Sequence, residues 1–105
     1  MIHHIVMFKI TKFDDEQDKV RKTEELKSTF EKLKGKIKSV KSFEVGININ
    51  TSSCAYDVVI NSTFRTLDDL NTYIMHPDHQ YAIEKISTIP KSKIVVDYES
   101  TRSRK

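Results

Sequence analysis

The chain is poor in the residues that would divide it, anchor it or staple it. One cysteine, Cys54, occurs in 105 residues, so no internal disulfide framework can form, which fits a reducing compartment. With two glycines and two prolines, no flexible or Pro-rich linker separates two halves, and no repeat or low-complexity tract is visible. A single domain over residues 1–99 is therefore expected. No apolar run approaches the roughly 20 residues that span a bilayer. The start, "MIHHIVMFKI", has too short an apolar core and no small-residue cleavage site for a signal peptide. These absences together predict a cytoplasmic protein without a membrane partner.

A strong charge of one sign is missing as well. The formal net charge is +3, but Arg102, Arg104 and Lys105 crowd the last four residues, "RSRK". Without them the acids and bases balance at 15 each. A nucleic-acid binder concentrates its bases on the folded surface, so no nucleic-acid partner is expected. Residues 100–105 read as a disordered basic tail.

Alternation and helical spacing are plentiful. Ile2, His4, Val6, Phe8 and Ile10 occupy one side of a first strand, and His3, Ile5, Met7 and Lys9 the other. Asp14, with Gln17 three residues on, is positioned to cap a helix whose apolar stripe is Val20, Thr23, Leu26, Phe30, Leu33 and Ile37. Acids at its start and lysines at its end complement the helix dipole, and Gly35 suits the stop. "SFEVGININ" and "YDVVINSTF" then form a hairpin, with Phe43, Val45, Ile47 and Ile49 inward. Cys54 falls in its turn with no basic neighbour to activate it. Thr66 caps a second helix with Leu67, Leu70 and Ile74 on its apolar face. Pro77 opens a further short helix, Pro90 ends it, and "KIVVDYE" is the last strand.

The order β-α-β-β-α-β predicts an α+β fold: a four-stranded antiparallel sheet with its helices on one face. The helices would cover Ile2, Val6, Phe8, Val45, Val58, Ile60, Ile94 and Val96. The opposite face would still carry Ile5, Met7, Val59 and Val95. A sheet face open to water is mostly polar, so a second copy is expected to cover it in two-fold symmetry.

The segment "YIMHPDHQY" holds two of the four histidines. His76 and His79 stand three apart, whereas helical metal pairs are usually four apart, and Pro77 biases His76 away from helical geometry. No second ligand cluster exists, so no metal and no cofactor are expected. His76 fits an N-cap joining two helices. His79 falls in a first helical turn, which disfavours imidazolium and leaves a neutral ring able to act as a base. His4 shares a strand face with Val6 and Phe8 and needs a polar partner there. Each histidine alone suits a structural role as well as a functional one. Tyr73 and His79, six apart, would share a face only if the chain bends at Pro77.

In combination, "HIVMFK", "VGIN", "AYDVVINSTF", "LNTYIMHPDHQ" and "IVVDYE" resemble the stress-responsive α/β barrel (Dabb) domain family across nearly the whole chain. The resemblance implies a ferredoxin-like monomer whose sheet packs against its copy as a dimeric α/β barrel. One plant branch of the family closes polyketide rings by aldol chemistry without metal or cofactor. The match to that branch implies His79 as base, with Tyr73 and His4 polarising or orienting the substrate. The expected ligand is a small apolar carbonyl metabolite. A non-catalytic homodimer whose pocket binds an apolar metabolite or is merely structural, and cofactor-free oxygenation as in related dimeric barrels, stay open beside it.

Overall fold

A computed structural model describes residues 1–101; the basic tail expected from the sequence falls largely outside these described residues. The elements run β1 (Ile2–Ile10), α1 (Glu16–Glu31), β2 (Ser42–Ile47), β3 (Val58–Phe64), α2 (Leu67–Met75), α3 (Pro77–Lys85) and β4 (Lys91–Glu99). The strands form one antiparallel sheet in the order β2-β3-β1-β4. With the helices packed on one face, this is the ferredoxin-like α+β arrangement.

The strict alternation of β1 survives as strictly alternating burial. Ile2, His4, Val6, Phe8 and Ile10 are buried, and their neighbours are half-buried. The first set meets Leu26, Phe30, Leu33 and Ile37 from α1 and the turns after it, together with Leu70, Tyr73, Ala82 and Ile86 from α2 and α3. Phe8 stacks on Phe30 with ring centroids 5.7 Å apart. Burying an aromatic or branched side chain of this kind stabilises the fold by about 1.5–3 kcal/mol.

Local signals place the helix starts. Thr66 is extended and its hydroxyl accepts from the Asp69 amide at 3.1 Å, capping α2 as expected. The cap of α1 lies one residue later than Asp14. Asp15 accepts from the Asp18 amide at 2.8 Å, and the Asp18 carboxylate accepts from the Asp14 amide at 2.9 Å. Asp18, not Gln17, thus closes the reciprocal box, because a carboxylate is the stronger acceptor for an orphan amide. Helix α1 ends at Glu31, and the chain unwinds through turns in which Gly35 takes φ of 77°. That left-handed conformation is open to glycine without a Cβ clash.

Several apolar assignments change. Ile47 is exposed at the end of β2, and Ile49 is 97% exposed because the chain leaves the sheet there. Val20 and Leu67 are exposed because each lies in the first turns of its helix, beyond the edge of the covered core.

A further change concerns the open face of the sheet. The β1–β4 register sets Val6 opposite Val95, Ile5 opposite Val96 and Met7 opposite Ile94. Directly paired residues in antiparallel strands project to the same side. Val95 therefore lies on the helix-facing side, and Ile94 and Val96 on the open side, the reverse of the sequence expectation. Three consecutive apolar residues read equally well in either phase, and only the pairing decides between them. Corrected in this way, the open face carries Ile5, Met7, Val59, Ile94 and Val96, with Tyr98 stacked on His3 at a centroid distance of 4.6 Å. No helix of the described residues is long and apolar enough to cross a membrane.

Candidate active site

The joint between α2 and α3 builds one wall of the site. Helix α2 cannot continue past Met75, since a residue preceding proline avoids helical ψ. His76 is extended, with φ −64° and ψ 137°. Its Nδ1 accepts from the Asp78 amide at 3.0 Å, and Pro77 takes the first helical position of α3. Gln80 fastens the bend, donating from its side chain to the Ile74 carbonyl at 2.8 Å and from its amide to the His76 carbonyl at 3.0 Å. His76 is thus a helix joint whose ring faces its own backbone.

The bend brings Tyr73 and His79 together. Tyr73 projects from the buried side of α2 and is 1% exposed, among Phe43 and Phe64. His79 stands at the third position of α3, its ring centroid 4.7 Å from that of Tyr73. The opposite wall is the sheet. His4 is buried on the helix-facing side of β1, with its ring centroid 6.1 Å from Tyr73 in an edge-on arrangement. Asp97 is its cross-strand partner on β4, and the Asp97 carboxylate accepts from His4 Nδ1 at 2.5 Å. Ser62, paired with His4 on the other side, donates its hydroxyl to the His4 carbonyl at 3.2 Å.

All three expected residues line one cavity of about 180 Å³. Val6, Phe8, Phe30, Ile60 and Ile83 supply its apolar walls. Val95 floors it along β4, between Asp97 and Lys93. Cys54, exposed in the hairpin turn, lies elsewhere. So does His3, on the open face, and no three His, Cys, Asp or Glu side chains among the described residues come together as a metal-binding group.

The electrostatics separate the groups into roles. Burial pushes the Tyr73 phenol far above its ordinary value of 10.0, so it stays protonated and keeps a hydroxyl hydrogen to donate. His79 is held below its ordinary 6.5, chiefly because burial penalises imidazolium. The Ile74 carbonyl opposes that shift, while the positive charge of Lys93, and that of His4 whenever its ring is protonated, add to it. Its Nδ1 is buried without a hydrogen-bond partner among the described residues. Because the Asp97 carboxylate accepts a hydrogen bond from His4 Nδ1, the neutral ring presents its lone pair at Nε2. An imidazole that burial keeps from protonating, a protonated phenol and an imidazole held by a carboxylate therefore share one cavity with apolar walls.

Asp97 and Lys93 were not singled out by sequence reasoning as site residues. Both lie on β4, whose phase the sequence leaves open, so neither could be assigned to the helix-facing side beforehand. The one available signal for Asp97 was the demand of a buried His4 for a polar partner.

Comparison with known proteins agrees with this architecture. The family model described as Stress responsive A/B Barrel Domain matches residues 2–100. An uncharacterized protein of Streptomyces coelicolor is 31% identical over 99 residues, covering 94% of this chain and 99% of that one. A crystal structure from Bacteroides fragilis, described as a dimeric protein of unknown function with a ferredoxin-like fold, superposes with a TM-score of 0.81. It is 31% identical and is covered over 94% of this chain and 95% of its own. A hydroxynitrile lyase from Passiflora edulis shares the fold, with a TM-score of 0.75 at 12% identity over 99% of this chain and 96% of that one.

Proposed function

This chain belongs to the stress-responsive A/B barrel domain family, and from that premise and the cavity just described we propose that it is a homodimer performing cofactor-free acid–base chemistry on a small carbonyl compound. The observation that carries this reading is the convergence of Tyr73, His79 and His4 on one apolar cavity.

The roles follow from protonation state. A carbon next to the carbonyl loses its proton to an imidazole nitrogen of His79. The C–H electron pair becomes the carbon–carbon double bond of the enolate, and the carbonyl π pair moves to oxygen. The Tyr73 hydroxyl donates to that developing oxyanion, and in a dry apolar site such a donor is worth far more than in water. His4, aligned by Asp97, holds the substrate or a bound water in place. The proton then returns from His79 to carbon or to an eliminated group, so the ring ends as it began.

Assembly is the second part of the reading. Ile5, Met7, Val59, Ile94 and Val96 form an apolar strip with no helix above it. The Bacteroides fragilis relative is described as dimeric, and a second copy docked sheet to sheet would cover that strip. A non-catalytic alternative has its own support in the walls of Val6, Phe8, Phe30, Ile60 and Ile83, which would hold an apolar metabolite without any reaction.

Deuterium exchange separates the two. In D2O, the protein should catalyse replacement of the protons beside the carbonyl in a panel of small ketones and aldehydes, with the loss of signal followed by proton NMR. His79→Ala should reduce that rate by about 10²–10⁴-fold. Binding without exchange above the buffer rate would leave the non-catalytic reading.

A further inference from the structure

The cavity is polarised along β4, and the polarity bears on what enters it. On the helix-facing side of that strand stand Lys91, Lys93, Val95 and Asp97, paired with Ile10, Phe8, Val6 and His4 of β1. Asp97 closes one end of the cavity and its carboxylate is engaged by His4. Lys93 lines the other end. Four residue steps of strand separate them, about 13 Å at roughly 3.3 Å per step.

Lys93 has no ion-pair or hydrogen-bond partner among the described residues. Its strand neighbour Lys91 is committed differently, its ammonium donating to the carbonyls of Ile86 at 2.8 Å and Ile89 at 3.1 Å at the end of α3. The two lysines are close enough that Lys93 helps to lower Lys91, after burial, below its ordinary value. Lys93, exposed to solvent, therefore offers the cavity a cationic head that no carboxylate of the described residues engages. Of the acids, only Asp97 lines the cavity, and it belongs to the far end.

We infer that the substrate is an oxo acid: a small carbonyl compound whose carboxylate is held by the Lys93 ammonium while its acidic C–H lies beneath His79 and its carbonyl oxygen beside Tyr73. The inference rests on the acid–base reading of the same cavity and adds the substrate class. Size agrees with it, since a cavity of about 150 Å³ accommodates a benzene-sized molecule and this one measures about 180 Å³. An apolar middle, a cation at one end and a hydrogen-bonding trio at the other suit a chain of a few carbons bearing both groups. Lys93 would act here as a binding and specificity residue, outside the proton transfer itself.

The test compares acids with their methyl esters. Deuterium exchange is measured for 4-oxopentanoate and 5-oxohexanoate and for the methyl ester of each, with the full-length protein. The acids should half-saturate at about tenfold lower concentration than the esters, the scale of one charge-assisted hydrogen bond in a partly exposed site. Added salt should shrink that ratio. Lys93→Gln should bring the ratio towards one and Lys93→Arg should retain it, while Lys85→Gln, outside the cavity, should change nothing. Acids and esters that exchange equally well, or a preference that survives Lys93→Gln, would overturn the inference and leave the acid–base reading intact. If neither acids nor esters exchange, and His79 resonances respond to none of them, the acid–base reading fails and takes the oxo-acid assignment with it.

Discussion

His4 Nδ1 lies 2.5 Å from an Asp97 carboxylate oxygen because the two residues sit directly opposite each other on β1 and β4. Cross-strand pairing therefore performs what a side-chain network does elsewhere: it chooses the tautomer of a buried imidazole and holds its plane. Asp97→Asn should leave the sheet formed, since the carboxylate is 41% exposed. It should also lower thermal stability by about 1 kcal/mol. In 15N spectra the fixed Nδ1–H tautomer of His4 should become a mixture, and α-carbon exchange should fall. An unchanged tautomer would mean that Asp97 does not set it.

Tyr73 tests the donor. Tyr73→Phe removes one hydroxyl from the cavity and leaves the ring packed among Phe43 and Phe64. The expected outcome is a fall of about 10²–10³-fold in the maximal exchange rate, by analogy with the loss of one oxyanion donor. Half-saturation should change much less, because the hydrogen bond strengthens only as charge develops on oxygen. A variant that binds weakly but turns over at the normal rate would assign Tyr73 to ground-state binding.

For pH, the sign follows from the depressed value of His79. The folded state favours the neutral ring and the unfolded chain titrates near 6.5, so the unfolded state binds more protons just below that pH. The stability associated with neutral His79 is fully present above 6.5 and is lost as pH falls through the folded value. Denaturation midpoints measured from neutral pH downwards should decline more shallowly in His79→Gln than in the natural chain. Exchange activity should likewise persist below 6.5, where an ordinary imidazole is mostly protonated.

The open face of the sheet predicts the response of assembly. Val59→Asp or Val96→Asp places a charge in the apolar strip and should convert a two-chain species to a one-chain species in sedimentation at low micromolar concentration. The cost of desolvating an unpaired carboxylate is the reason. A natural chain already monomeric under those conditions would refute the dimer.

Pro77→Ala probes the bend. With a backbone amide restored and the restriction on His76 relieved, α2 and α3 could approach one continuous helix. On a straight helix two residues six apart lie well off one face, so the contact between Tyr73 and His79 should loosen. Exchange should fall more steeply than the melting temperature.

These residues also show what a linear reading reaches and where it stops. The alternation of β1 is complete enough that each residue from Ile2 to Ile10 goes to its expected side. The joint at His76 and Pro77 was equally legible, since proline restricts its predecessor by covalent geometry alone. The β4 phase was not, because Ile94, Val95 and Val96 are all apolar and a one-residue slip exchanges faces. That slip also hid Asp97 and Lys93, both on the same side as Val95. Ile49 looked like a continuing strand, but its segment folds into turns of its own, in which the Asn48 and Asn50 side chains accept from the backbone amides of Asn50 and Ser52. The convergence of Tyr73, His79 and His4 depends on one bend and two layers of packing, which periodicity along a single element does not encode.

The most direct measurement is the 15N spectrum of His79 at pH 6.5, recorded with and without a small oxo acid. A neutral ring, with resonances that shift when the ligand is added and cease to shift when Tyr73 is replaced by phenylalanine, is the predicted result. A ring already protonated at that pH, or one indifferent to every carbonyl compound offered, would contradict the account.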